Sequence, residues 1–359
     1  MDMRLVAVFD LLVFVVLVNA QFVDKQQIEY LVLKWSPLIW MSPEEKFMPL
    51  AAEEFLKHMK ISDENGKPLE TTSFENGLKY STKSFHLVTK LTLDSLKENN
   101  SSFLYGKNPK ENSVPVYAIV TYCSPYISFH STDLENIRND INIVYGKVEP
   151  NLNFHVSYWI FYPYNEGKEI CFIGKVPAPF IFNTCFGHLK SMGNHVGDWE
   201  HMSLSFNGKT IPHKMFLAVH DAGVYYNFDI KRSIFRYDSQ VTRKGVVQRP
   251  KFPRIVRTQG GHPVLFSALG SHGLWSSPGV HDYIRVPRLS DKNGYGIPWK
   301  TWNNVQIYHF GSTKIPNWML FKGKWGNPKS NCFLFKKLGL CEYTDGPVGL
   351  LRNVQDFYC

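Results

Sequence analysis

The sequence predicts a mainly β protein, an antiparallel β-sandwich with a short helical portion at its N-terminal end. Three observations lead there. Beyond residue 113, short apolar and aromatic runs are separated by Gly, Pro, Asn and Asp at spacings that suit a sandwich. Of the 359 residues, 44% are hydrophobic and 15% aromatic, which argues for a packed core and against disorder. Helical spacing of apolar residues is found mainly between Gln26 and Lys60.

Residues 1–20 read as a separate unit. Arg4 precedes an apolar run from Leu5 to Val18, broken by Asp10, and Val18-Asn19-Ala20 offers a cleavage site before Gln21. The run is too short for a membrane anchor, so a secretory signal peptide is expected. The mature chain is therefore expected to be secreted, with a lysosome- or vacuole-like lumen as the alternative destination.

Residues 21–112 are expected to be a helical portion and polar loops packed on the main domain. Ile28, Leu31 and Val32 have helical spacing, Ser42-Pro43-Glu44-Glu45 reads as an N-cap with acids in the first turn, and Leu50 to Met59 is amphipathic. Residues 61–112 are rich in Asn, Lys and Glu and read as loops with little core. Asn99-Asn100-Ser101-Ser102 holds overlapping N-glycosylation acceptors at Asn99 and Asn100.

Residues 113–359 form the sandwich domain. Strands are expected at Val114 to Tyr122, Phe154 to Tyr162, Trp199 to Phe206, Lys214 to His220, Val224 to Asp229, Pro263 to Leu269 and Val305 to Phe310. Asn207-Gly208 marks a hairpin turn, and residues 130–143 read as a helix capped by Ser131 or Thr132. Cys123, Cys171, Cys185, Cys332, Cys341 and Cys359 would form three disulfides in an oxidising compartment. Their spacing suggests at least one bridge among the last three, and the 15 pairings open to six cysteines stay undivided by sequence.

The stretch Gly193-Asn194-His195-Val196-Gly197-Asp198-Trp199-Glu200-His201 concentrates ionisable groups at the start of a strand. A period of two puts Asp198 and Glu200 on the face of Met202, Leu204 and Phe206, with Trp199, His201, Ser203 and Ser205 opposite. Carboxylates at the rim of a core need a cation. One reading is a divalent metal held by His195, Asp198 and Glu200, with Ca²⁺ or Mg²⁺ suited to oxygen-rich ligands. The other is a structural polar network in which Lys or Arg supplies the charge. If the protein is an enzyme, His195, His201 and His272 are its acid–base candidates, with His220 at a comparable strand end.

The net charge of +9 points, in a secreted protein, to an anionic membrane surface or a glycan before nucleic acid. Between Lys231 and Arg257 nine basic residues face one acid, Asp238; Lys231, Arg232, Arg236, Arg243 and Lys244 are the candidate anion contacts. A solvated hairpin is the bland alternative. No HExxH, GxSxG, P-loop or dinucleotide fingerprint is present.

Several ordered motifs resemble the vacuolar protein sorting-associated protein 62 family. They are Trp35-Ser36-Pro37-Leu38-Ile39-Trp40-Met41-Ser42-Pro43-Glu44-Glu45, Val114-Pro115-Val116-Tyr117-Ala118, Tyr158-Trp159-Ile160-Phe161-Tyr162-Pro163-Tyr164-Asn165, Gly193 to His201, and His262-Pro263-Val264-Leu265-Phe266 running into Gly270-Ser271-His272-Gly273. The family name implies vacuolar sorting. The spacing His195-x-x-Asp198-Trp199-Glu200 is more distantly similar to the heptapeptide of necrosis-inducing secreted cytolysins. That resemblance implies an actinoporin-like sandwich and a divalent-metal site at His195, Asp198 and Glu200 needed for membrane damage, although Val196-Gly197 here replaces an Arg-His pair. The expected function is metal-dependent recognition of a membrane lipid or glycan, with membrane damage as a consequence. A metal-dependent hydrolase of a lipid phosphodiester or glycan, and a structural role without catalysis, are the alternatives.

Overall fold

The computed structural model describes residues 25–69, 73–123, 152–178, 180–182, 184–242, 248–284, 288–311, 315–332, 341–350 and 356–359. The expected signal peptide, the helix expected at 130–143, and the basic residues Arg243 and Lys244 lie outside these. The chain is mainly β, as its alternating patterns require, and most of its strands join one sheet.

That sheet has twelve strands: β1 (Leu38–Trp40), β2 (Val116–Tyr122), β3 (Phe154–Asn165), β4 (His195–Phe206), β5 (Lys214–Val219), β6 (Ala222–Asp229), β7 (Ile234–Thr242), β8 (Ile255–Gln259), β9 (His262–Ser267), β10 (Leu274–Trp275), β11 (Pro298–Lys300) and β12 (Val305–His309). Their order is β11-β1-β9-β8-β7-β6-β5-β4-β3-β2-β12, with β10 paired to β9. Neighbours run antiparallel except β1 with β9 and β12 with β2, which are parallel. The sheet curls, so that β10 comes back against β4 and β5, its non-neighbours in the ladder. The two layers expected of a sandwich are thus supplied by one sheet closing over its own concave face.

The concave face holds the first core. Val156, Tyr158, Ile160 and Tyr162 of β3 meet Met202, Leu204 and Phe206 of β4, together with Met215 and Leu217 of β5. The helix Lys25–Trp35 plugs this face, burying Ile28, Leu31, Val32 and Trp35, which recur at helical spacing and form one stripe. Fully burying each such side chain contributes about 1.5–3 kcal/mol.

The other face carries a second, aromatic core of Tyr117, Trp159, Phe161, Trp199, Trp318 and Trp325. Residues 61–112 add to it, contrary to the expectation of coreless loops. Leu78, Leu87, Leu96 and Leu104 are buried there, and the short helices Phe74–Lys79 and Leu93–Glu98 are capped by Ser73 and Thr92. Leucines spaced through a polar stretch are diluted in any sequence window, and packing against the aromatic face is what orders them.

The six cysteines form three disulfides: Cys123–Cys359, Cys171–Cys185 and Cys332–Cys341. The first ties the C-terminal end to the central sheet. The second staples a hairpin that stands off the main sheet, where the strands Lys168–Ile173, Val176–Pro177 and His188–Met192 make a small sheet of their own. Among the described residues no helix is long and apolar enough to cross a membrane.

Candidate functional site

The strand β4 begins at His195, four residues earlier than its hydrophobic pattern suggests, because it pairs with β3 as far as Asn165. Gly197 makes this possible. Its φ of +69° lies in the left-handed region, and a Cβ there would sit 2.2 Å from the carbonyl oxygen of Trp325. Beyond it the alternation holds, with Met202, Leu204 and Phe206 in the concave core and Trp199 in the aromatic core.

Asp198 is buried, and its Oδ2 accepts hydrogen bonds from Asn165 Nδ2 at 2.9 Å and His272 Nδ1 at 3.0 Å. The Nε2 of His272 faces the carbonyl oxygen of Phe47 at 3.1 Å and lies 3.8 Å from Glu45 Oε1. Both ring nitrogens therefore meet acceptors, which requires a doubly protonated imidazolium. Burial opposes that charge, but the carboxylates of Glu45 and Asp198 override it and raise the pKa to about 9. Burial likewise pushes both carboxylates up, and the His272 charge and hydrogen bonds hold them below their ordinary values. The ring stacks face to face on Tyr162 at 3.8 Å. His272 adopts a φ of +59°, a strained conformation for a residue with a Cβ.

Glu45 corrects the expectation of a helix N-terminus at Ser42-Pro43-Glu44-Glu45. No helix forms there. One oxygen of Glu45 accepts from the backbone N–H groups of Lys46 and Phe47, and the other from Gly270 N–H at 2.8 Å. The acid fastens the segment after β1 to the turn that carries His272.

A second buried ion cluster lies alongside, centred on Asp291. Asp291 pairs with Lys168 Nζ at 2.9 Å and His220 Nε2 at 2.8 Å, and accepts from Ser271 Oγ and Trp275 Nε1. Its pKa is held far below the carboxylate range because these positive partners outweigh burial. Ser271 links the two clusters, since its carbonyl oxygen accepts from Asn165 Nδ2. His220, which the sequence places at a strand end comparable to the acid–base candidates, is thus engaged by Asp291, again with a positive φ of 53°.

His201 is elsewhere. On the aromatic face it stacks on Trp159 at 4.1 Å, and its Nε2 lies 3.1 Å from Asp356 Oδ2. The hydroxyl of Ser203 donates to the same oxygen at 2.5 Å. The three residues have the composition of a hydrolytic triad but the wrong order: the acid stands between serine and histidine, so no imidazole nitrogen is placed to take the serine proton. They dock the C-terminal end, which Cys123–Cys359 also anchors.

His195 stands at a cleft. Its Nδ1 donates to the carbonyl oxygen of Gly197 at 2.8 Å, which fixes the orientation of the ring. The cleft has a volume of about 270 Å³ and is lined by Asn65, His195, Asn327, Lys329, Ser330, Tyr343 and Thr344, with Leu93, Val196 and Pro328 as apolar walls. Backbone hydrogen bonds from Gly193 to Cys341 and from Asn194 to Glu342 bring the stapled segment at 341–344 against the start of β4.

His195, Asp198 and Glu200 therefore do not come together as a ligand set. Among the described residues, the group of His, Cys, Asp or Glu whose ligand atoms lie within 4.8 Å of one another is Cys123, His155 and Cys359, two of which are a disulfide. Asp198 already faces an imidazolium, and Glu200 is buried on the concave side. The donor set does not fit a divalent ion shared by the three residues.

In the basic segment, Lys231, Arg232 and Arg236 are exposed, with Arg232 and Arg236 both paired to Asp229. Asn99 and Asn100 are exposed at the end of the helix Leu93–Glu98. Sequence reasoning missed Glu45, Asn165, Lys168, Asp291 and Asp356. Each is an ordinary polar residue in its own neighbourhood and acquires meaning from partners far along the chain.

The family model described as vacuolar protein sorting-associated protein 62 matches residues 139–232, a window that contains the whole of β4. Vacuolar protein sorting-associated protein 62 of Saccharomyces cerevisiae is 24% identical, covering 94% of this chain and 68% of its own length. This chain is similar to that family over most of its length. The protein TDA6 of the same yeast, which carries a vacuolar protein sorting-associated name, is 27% identical over 82% of this chain. The match takes in 60% of the length of TDA6. A crystal structure of Necrosis and Ethylene inducing Protein 2, from the causal agent of cocoa's witches' broom disease, aligns over 84% of this chain and 80% of that one, at 9% identity and a TM-score of 0.26. At that score the superposition carries no conclusion about fold or activity.

Proposed function

We propose that the mature chain is a recognition protein of an oxidising compartment, the cell exterior or a vacuole-like lumen, and that it holds an anionic or polyol group in the cleft beside His195. A membrane lipid headgroup or a glycan presents such a group. The observation that carries this reading is the lining of the cleft. Asn65, Asn327, Ser330 and Thr344 supply neutral hydrogen-bonding side chains, Tyr343 an aromatic ring, Lys329 a positive charge and His195 an imidazole, with no carboxylate among them. About 270 Å³ is small for a ligand site and suits one headgroup or one sugar ring.

The two buried ion clusters support the cleft without entering it. They clamp the segment after β1, the end of β3 and the turn at 270–273 around the start of β4, so His195 is presented by a rigid frame. Three disulfides and yeast relatives with vacuolar names fit an oxidising lumen. The exposed basic side chains Lys231, Arg232 and Arg236 add long-range attraction to an anionic surface, and Asn99 and Asn100 are open to glycosylation.

Calorimetric titration with inositol phosphate, glycerophosphate and a panel of monosaccharides tests the reading and separates its two ligand sources. His195→Ala and Lys329→Ala should each weaken the ligand that binds by about tenfold, the loss of one good polar contact. Binding by both variants at wild-type strength would defeat it. Turnover of a bound phosphodiester would instead make the protein a hydrolase with His195 Nε2 as its base.

A further inference from the structure

The hairpin stapled by Cys171–Cys185 exposes an unusual amount of apolar surface. Ile173, Val176, Phe180, Ile181, Phe182 and Phe186 all point to solvent, Phe182 being 97% and Phe186 68% exposed. Scattered single apolar residues are normal on a surface, but a contiguous group of this kind marks a contact. Phe182 has a φ of +47°, so the tip is held in a conformation that its own side chain disfavours. From Ile170 to Met192 the sequence contains no Asp or Glu, and Lys175 is the one charged residue inside the staple.

We infer that this hairpin inserts into the surface of an anionic lipid bilayer. The tip presents phenylalanine, isoleucine and valine without polar handles beside Lys175, while Lys168 and Lys190 at the base are paired with Asp291 and Glu342, and the exposed Glu169 sits at that same base opposite Ser191. Such a tip suits the headgroup region, with its apolar side chains among the acyl chains. An anionic surface attracts the lysine and would repel a carboxylate. The disulfide removes much of the ordering cost of insertion, because the loop is closed before it meets the membrane.

The hairpin is also continuous with the cleft. Its last strand, His188–Met192, packs against the strand Cys341–Tyr343, which ends at the cleft-lining residues Tyr343 and Thr344. The tip and the cleft are thus joined through one pair of packed strands. The inference deepens the proposed function by choosing a membrane over a free glycan, and it rests on that reading only for the ligand in the cleft, since insertion needs the hairpin alone.

The test is co-sedimentation of the mature protein with vesicles of phosphatidylcholine and of phosphatidylcholine mixed with phosphatidylserine. Wild-type protein should sediment with the mixed vesicles. Phe182→Ser should reduce that binding about tenfold, and Phe180→Ser/Phe182→Ser/Phe186→Ser should abolish it, since each inserted ring contributes a factor of ten or more. These residues are exposed, so the variants should melt with the wild-type midpoint, which keeps misfolding separate from loss of binding. Equal sedimentation of wild type and triple variant overturns the inference, as does a wild-type dimer that the substitutions convert to a monomer without any vesicle binding. Calorimetric binding of a soluble headgroup or sugar should survive Phe182→Ser and fall in His195→Ala, so failure of the hairpin and failure of the cleft give different results.

Discussion

His272 Nδ1 lies 3.0 Å from Asp198 Oδ2 in a fully buried pair, across 74 positions of sequence. The carboxylate at the centre of the Gly193–His201 motif is thus neutralised internally by a histidine on a strained turn. Its second carboxylate partner, Glu45, comes from the segment after β1, so three distant parts of the chain meet at one ring.

Stability should depend on pH in a way set by this ring. Its folded pKa of about 9 exceeds the ordinary 6.5, so its contribution is complete below pH 6.5 and is lost as pH rises through 9. The loss should be roughly 3 kcal/mol, from a shift of a few pKa units at about 1.4 kcal/mol each. The depressed carboxylates of Glu45, Asp198 and Asp291 act oppositely, stabilising above their ordinary values near 4 and failing in strong acid. Thermal midpoints measured from pH 3 to 10 should plateau between about pH 5 and 6.5.

Asp198→Asn should cost about 3–5 kcal/mol, the range for breaking a buried ion pair by removing one partner. It should also lower the His272 pKa and move the alkaline loss of stability to lower pH. Denaturant titration at several pH values reads both effects. A variant that is less stable but keeps the wild-type pH profile would show that His272 draws its proton from elsewhere.

Divalent ions should not stabilise the protein through this cluster. Asp198 already has a cationic partner, and its companions in the motif lack a common position for a ligand. Ca²⁺, Mg²⁺ and EDTA should therefore leave the wild-type melting midpoint unchanged. An ion that raises it in wild type, with the rise absent in Glu200→Gln, would restore a metal to the motif.

Gly197→Ala and Gly193→Ala separate two effects of added carbon. Both glycines have positive φ, +69° and +82°, but a Cβ at Gly193 meets nothing within 4 Å while one at Gly197 collides with the backbone of Trp325. Gly193→Ala should cost about 1–2 kcal/mol of backbone strain. Gly197→Ala should cost more than about 3 kcal/mol, since neither backbone segment can yield without disturbing the aromatic core. Equilibrium unfolding of both variants gives the comparison.

Cys359→Ser should release the C-terminal end from β2 and remove Asp356 from His201 and Ser203. A stability loss of about 2–5 kcal/mol is expected for a bridge that closes so long a loop. Equilibrium unfolding in denaturant of Cys359→Ser against wild type reads the loss.

Much of the architecture was legible from residues 113 onward because strand periodicity is a local property. The alternation in Asp198-Trp199-Glu200-His201-Met202 correctly predicted which side chains would share a face, and Ile28, Leu31 and Val32 correctly announced the first helix. Local propensity also misled. Ser42-Pro43-Glu44-Glu45 has every mark of a helix start, yet Glu45 gains more by capping Gly270 N–H and facing His272 than by beginning a helix.

The sequence by itself determined the β class, which side chains share a face along the strand from Asp198 to Phe206, the cysteines available for disulfides and the concentration of ionisable groups around Asp198. Only the tertiary structure decided that one sheet would curl to make both layers, which cysteines would pair, and that Asp198 would answer to His272 while His195 faced a cleft. The reason is physical: periodicity is set by neighbours within a few residues, whereas the partner of a buried charge is whichever opposite charge the folded chain delivers to it. Asp198 and His272 meet because β3, β4 and the turn after β9 converge, and nothing within either residue's own neighbourhood encodes that meeting.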